Sequence, residues 1–306
     1  MKLGIIYAGQ GSQIVGMGKS FYPNDIFDQN EDLKQICFNG PLEKLSYTPY
    51  TQPCMVMVAT IITDLLKEHG IVPDYTAGLS LGEYSALYCA GVFERQQVID
   101  LARFRGKVMQ EAVKNIESEM IAVLGMEEKL LQDLCHQASL LGVVSISNYN
   151  CPGQLVVAGE KQAVEKVKEL ALENKARRVI PLNTSGPFHT SLLKDASLAL
   201  KERFEKETFH EMKISVVFNT LGHEINQQTI AEILQKQVMS PVYFEKSIRY
   251  MIDQGVDTII EVGPGKVLSG FVRKIDKSMK LYQIKDMESL EQTVKALKGE
   301  DYEIRK

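Results

Sequence analysis

Short apolar runs closed by glycine alternate along the chain with longer stretches whose apolar residues recur every three or four positions. Runs of the first kind fit strands buried on both faces, and stretches of the second kind fit helices with one apolar stripe. Residues 3–8 (LGIIYA) predict a short buried strand that ends in a turn at Gly9 and Gly11. A helix is expected over 51–69, with Gly70 as its C-terminal cap. A second strand follows over 74–79, then a helix over 82–90 stopped by Gly91, then a long amphipathic helix over 95–115.

Beyond that helix the order of elements changes. Strand-like segments at 120–125, 143–148, 154–159 and 176–182 enclose helical ones at 127–140 and 163–174. The resulting order, β-α-β-β-α-β, is that of the ferredoxin-like unit. After Gly186-Pro187 the chain continues with a helix from Thr190, a strand over 214–219, helices over 230–237 and 244–254, a strand over 258–262 and a helix over 267–274. Strands alternating with helices imply a mostly parallel sheet covered on both faces. The expected class is therefore α/β, with an α/β-hydrolase-like core at 1–116 and 186–306 and an inserted ferredoxin-like subdomain at 117–185. The charged tail from Lys298 is expected to fray.

Composition narrows the function classes. The chain has 306 residues, of which 44% are hydrophobic and 24% charged, the profile of a globular protein with an ample core. A formal net charge of −4, with no basic stripe interleaved with aromatics, speaks against a nucleic-acid binder. The apolar run near the start is broken by glycines and too short for a signal-peptide core. The longest apolar stretch, 54–66, contains Thr60, Thr63 and Asp64 and falls short of the roughly 20 residues a membrane span requires. It reads as a buried helix, and a cytoplasmic, membrane-free protein is expected. Five scattered cysteines, none in a CxxC pair or a histidine cluster, predict a reduced interior without a metal site.

Gly78-Leu79-Ser80-Leu81-Gly82 fits G-x-S-x-G between an expected strand and an expected helix. At such a turn the serine hydroxyl is exposed, flanking glycines let backbone pass closely, and the helix N-terminus favours developing negative charge. The alternative is a tight turn whose serine merely caps the helix. A nucleophilic serine needs a base. His69, His136, His210 and His223 sit in ordinary helical or polar surroundings. His189 follows Ser185-Gly186-Pro187-Phe188, a turn that delivers it to a helix start, where it serves either as base or as cap. Gly9-Gln10-Gly11-Ser12-Gln13 lacks the third glycine of a dinucleotide fingerprint and the Gly-Lys-Ser/Thr of a phosphate loop, as does Gly263-Pro264-Gly265-Lys266. A glycine loop at a sheet's C-terminal edge can still supply oxyanion donors.

Seven blocks in order, GQGSQ, TQP at 51–53, GLSLGEYSAL, RGKVMQ, NYNCPGQLVVAG, GPFH and EVGPGKVLSG, resemble the malonyl-CoA:acyl carrier protein transacylase family. The chain is also similar to polyketide synthase acyltransferase domains. The resemblance implies ping-pong transfer of malonyl from coenzyme A to the phosphopantetheine thiol of an acidic acyl carrier protein, supplying fatty-acid synthesis, with no metal or permanently bound cofactor. It further implies Ser80 as nucleophile, His189 as base and acid, and Gln10 with the Leu81 amide as oxyanion hole. Arg105 would pair with the malonyl carboxylate, the Gln237 carbonyl would orient His189, and Phe188 would restrict the acyl pocket. Asn148 and Asn150 match paired asparagines beside the site. Without the resemblance, Arg105 reads as a solvated arginine on an amphipathic helix.

Three positions depart from the family pattern: Ala8 for proline, Leu79 for histidine before the nucleophile, and Ser240-Pro241 for Asn-Pro. The competing functions are a polyketide-serving acyltransferase, a serine esterase or thioesterase, and a non-catalytic docking module. The esterase reading lacks an HGGG-type loop and an acid in a suitable turn. Arg177-Arg178 and Arg273-Lys274 are the candidate contacts for an acidic carrier protein.

Overall fold

The computed structural model describes residues 1–300 and 302. Nine strands occur among them: β1 (Leu3–Tyr7), β2 (Tyr75–Gly78), β3 (Ser118–Leu124), β4 (Val144–Cys151), β5 (Gln154–Glu160), β6 (Arg178–Pro181), β7 (Ser215–Val217), β8 (Thr258–Val262) and β9 (Lys280–Ile284). They fall into two sheets and the chain into two units. Met1–Gly106, Phe209–Val217 and the described residues from Tyr250 onward form the first unit, and Lys107–Thr208 with Phe218–Arg249 the second.

The first unit carries a parallel five-stranded sheet in the order β7-β2-β1-β8-β9. β1, β2 and β8 are buried at every residue, as strands covered on both faces must be. Their register sets where the loops emerge. Tyr7 pairs with Gly78 on one side and with Val262 on the other, so the loops after β1, β2 and β8 leave the sheet at one edge. The helix Gly82–Cys89 packs on β1 and β2, while Val267–Ile275 and Met287–Lys298 pack on β9. The apolar stretch at 54–66 lies in the helix Thr48–Glu68, buried along most of its length. That helix begins three residues before the expected start, because Pro49 in its first turn has no N–H to satisfy. No helix among the described residues is long and apolar enough to cross a membrane.

In the second unit β3 to β6 form an antiparallel sheet in the order β4-β5-β3-β6. With the helices Glu128–Ala138 and Lys161–Glu173 this is the β-α-β-β-α-β unit read from the sequence. Ile121, Val123, Ile146 and Val157 from the sheet meet Leu131, Leu134, Val164 and Val167 from the helices in one core.

Among the described residues, three short helices, an edge strand and the helix that follows it were not expected from the pattern. Asp25–Gln29, Glu31–Asn39 and Leu42–Leu45 are short helices, whose periodicity is too brief to register. β9 (KLYQI) is a sheet-edge strand, half-buried over most of its length, with neither an apolar run nor a glycine boundary. Met287–Lys298 follows it, opened by a capping box in which Asp286 accepts from the Ser289 amide. The expected fraying from Lys298 concerns residues of which 301 and 303–306 lie outside the described ones.

Candidate active site

Ser80 sits in the turn between β2 and the helix Gly82–Cys89, with φ 54°. A left-handed backbone at a non-glycine residue costs on the order of 1–3 kcal/mol and persists only where its surroundings impose it. Here the two flanking glycines impose it. A Cβ on Gly78 would collide with the Gly82 carbonyl carbon, and one on Gly82 with the Tyr7 carbonyl oxygen. The turn is thereby pressed against the end of β1, and a Cβ on Gly9 would likewise strike the Leu79 carbonyl oxygen. Among the described residues only Ser80, Lys175 and His189 combine a side chain with positive φ. Lys175 follows the helix Lys161–Glu173, where a left-handed residue is an ordinary stop. The other two are the candidate nucleophile and base.

Ser80 is not the N-cap residue of its helix. Leu81 is the N-cap residue, and no side-chain cap bond is made there. Instead the Ser80 hydroxyl oxygen accepts a hydrogen bond from Arg105 Nη2 at 3.2 Å. Arg105 projects from the helix Arg95–Val113 and is fully buried, not solvated. Its neighbour Gly106 permits this, since a Cβ there would lie 2.7 Å from the Thr48 carbonyl oxygen, so the two helices approach backbone to backbone. Burial pushes the guanidinium pKa down from its ordinary value, opposed by Tyr84 and Glu83. The guanidinium carbon stands 5.4 Å from the centroid of the Tyr84 ring.

Arg105 Nη1 donates to Gln52 Oε1 at 2.9 Å, and Gln52 Nε2 faces Gln10 Oε1 at 3.4 Å. Gln10 Nε2 then donates to Thr48 Oγ1 at 2.9 Å. Ser80, Arg105 and Gln10 are thus joined by side-chain bonds within the first unit, and Leu81 adjoins Ser80. The link between Arg105 and Gln10, Gln52, had no role assigned to it from sequence. Its only signal there was its place in the TQP block, and its near-complete burial is what sets it apart.

In the second unit His189 is buried, with φ 64°. Its main-chain N–H donates to the Val238 carbonyl at 3.0 Å. Its Nδ1 lies 2.9 Å from the Gln237 carbonyl oxygen and 3.1 Å from that of Ser240. Carbonyls only accept, so Nδ1 must carry the proton, and in the neutral ring Nε2 is the basic nitrogen. The ring thereby meets the last carbonyl of the helix Ile230–Gln237 and not the start of the turn that follows His189 in the chain. Ser240 in place of asparagine is without consequence for this contact, which uses only its main chain. Phe188 is buried, and a Cβ on Gly186 would lie 3.1 Å from Phe188 Cε1 and 2.6 Å from Val113 Cγ2. Asn148 and Asn150 are buried on β4, where Ser147 Oγ donates to Asn148 Oδ1 at 2.8 Å. Arg177, Arg178, Arg273 and Lys274 are all exposed.

Residues 5–299 match the family model of the acyl transferase domain. The chain belongs to the acyltransferase family. The malonyl CoA-acyl carrier protein transacylase of Bacillus subtilis is 39% identical to this acyltransferase over 312 residues, 98% of each chain. A crystal structure of the same-named protein from Clostridium perfringens is 39% identical, with a TM-score of 0.93 over 97% of this chain and 98% of that one. A malonyl-transacylase solved in complex with a type II polyketide acyl carrier protein is 33% identical, with a TM-score of 0.92 over 97% of this chain and 100% of its own.

Proposed function

We propose that this acyltransferase carries malonyl from malonyl-CoA to the phosphopantetheine thiol of an acyl carrier protein, through an ester on Ser80, and so supplies extender units for fatty-acid synthesis. The observation that carries the reading is the buried Arg105 guanidinium hydrogen-bonded to the Ser80 hydroxyl. A fixed cation beside the nucleophile favours an acyl group that ends in a carboxylate, held by charge-assisted hydrogen bonds.

In the first half-reaction Ser80 Oγ attacks the thioester carbonyl carbon while His189 Nε2 takes the hydroxyl proton. The Gln237 and Ser240 carbonyls hold Nδ1–H and thereby fix both the tautomer and the ring that becomes imidazolium. The oxyanion is stabilised by main-chain N–H groups. The Leu81 amide lies at the helix N-terminus, where no intrahelical acceptor exists. The Gln10 side chain is committed to Thr48 and Gln52, so its contribution comes through its backbone N–H. One such donor is worth about 2.7–4 kcal/mol in the transition state. Collapse expels the coenzyme A thiolate, which takes the proton from His189. The carrier thiol then gives its proton to His189 and attacks the Ser80 ester. Collapse releases malonyl-carrier and returns the proton to Ser80 Oγ.

Malonyl-CoA alone should release coenzyme A once per enzyme and then stall, with turnover resuming on addition of holo carrier protein. Continuous release without carrier would identify a hydrolase instead. The likeness to the polyketide carrier complex favours a second reading of the acceptor. Comparing rates with fatty-acid and polyketide carrier proteins separates the two.

A further inference from the structure

The hydrogen bonds around Gln52 have a fixed polarity. An arginine has only donors, so the Gln52 amide must turn its oxygen to Arg105 Nη1, at 2.9 Å. Its nitrogen is then directed at Gln10, which must present Oε1, at 3.4 Å. Gln10 in turn has only its own nitrogen left for Thr48 Oγ1, at 2.9 Å. Along these bonds the orientation of each amide follows from the arginine. Thr48 and Gln52 are four residues apart on the helix Thr48–Glu68, so one helix face holds both ends of Gln10. Gln52 is 1% exposed, so water does not substitute for either of its partners.

We propose that Gln52 is the positioning residue for Arg105. It fixes the guanidinium so that the Nη2 side, which meets Ser80 Oγ at 3.2 Å, is presented to an acyl group ending in a carboxylate. Through its nitrogen it ties that orientation to the Gln10 loop. Without Gln52 the guanidinium keeps its charge but loses its aim, and selectivity for a carboxylate-bearing thioester falls. The inference rests on the reading of Arg105 as the carboxylate partner.

The test measures acyl-enzyme formation by intact mass with malonyl-CoA and with acetyl-CoA, for wild type, Gln52→Met, Arg105→Ala and the double variant, each checked for an intact thermal transition. Gln52→Met keeps the length and removes both hydrogen bonds. It should lower the malonyl-to-acetyl rate ratio about tenfold, the scale of one hydrogen bond to a charged group. In the Arg105→Ala background the same change should leave the ratio within about twofold, because residues that act through one another are non-additive. Should Gln52→Met fail to fold, Gln52→Glu keeps an acceptor for Nη1, removes the donor to Gln10 and neutralises the cation, and it too should lower the ratio. An unchanged ratio in folded Gln52 variants, or an undiminished effect without Arg105, overturns the inference alone. An unchanged ratio in Arg105→Ala overturns the reading of Arg105 and the inference with it.

Discussion

Removing the Arg105 side chain separates selection of the acyl group from the chemistry of transfer. Arg105→Ala deletes a fully buried cation that bonds Gln52 at 2.9 Å and Ser80 at 3.2 Å. A malonyl carboxylate loses its charge-assisted partner. One such bond contributes about 1.5–3 kcal/mol, and about 1.4 kcal/mol is a factor of ten. Loss of one bond therefore sets the smallest expected fall in malonyl transfer near tenfold, and loss of two sets it near a hundredfold. Acetyl transfer has no carboxylate partner to lose. It should fall less, or rise, because Ser80 Oγ is relieved of a cationic donor that holds its lone pair. The assay is rapid-quench acylation with each thioester, alongside a melting curve to exclude unfolding. Equal losses for the two substrates at an unchanged melting temperature would refute the reasoning and leave Arg105 a structural residue.

Further expectations concern other parts of the site and fold. Phe188→Ser should relax discrimination against methylmalonyl-CoA, since a bulky ring excludes an α-methyl group by overpacking worth roughly 1–3 kcal/mol. A competition ratio equal to that of the wild type would leave Phe188 as a packing residue beside Gly186 and Val113. Gly82→Ala should abolish or severely reduce soluble folded protein, because its Cβ would strike the Tyr7 carbonyl oxygen; a wild-type melting curve would contradict the close-approach argument. Glu261 is buried with its carboxylate accepting from the Leu268 and Ser269 amides, and burial raises its pKa above the ordinary 4.5. A raised acid costs stability as pH climbs through that range, so the melting temperature of the wild type relative to Glu261→Gln should be higher near pH 4 than at pH 7. A pH-independent difference would show that the two amides offset the burial.

How much of the fold and the site was legible in the sequence depended on whether the signal was local. The strand, the pentapeptide around Ser80 and the following helix are contiguous, and the flanking glycines announce the close approach they permit. The β-α-β-β-α-β order was equally plain, because its strands and helices each carry their own period. The edge strand β9 was not, since half-burial leaves neither an apolar run nor a clean alternation. Arg105 illustrates a different limit. Its burial is set by Gly106 against Thr48, a contact between helices that the periodicity of either one does not encode. The carbonyls of Gln237 and Ser240 mark a third. Their contact with His189 uses main-chain atoms, so residue type is silent and only the family resemblance pointed to Gln237. Gln52 lay inside the TQP block, yet its role emerges only from the two partners its amide bridges.

The central claim is that Ser80 carries the malonyl group between the two substrates. Intact-protein and peptide mass spectrometry after incubation with malonyl-CoA, in the absence of carrier protein, tests it most directly. The wild type should gain one malonyl increment, located on the peptide containing Ser80 and lost when holo carrier protein is added, while Ser80→Ala should gain none. A malonyl adduct that persists on Ser80→Ala, at Ser12 or Ser85 for instance, would contradict the account.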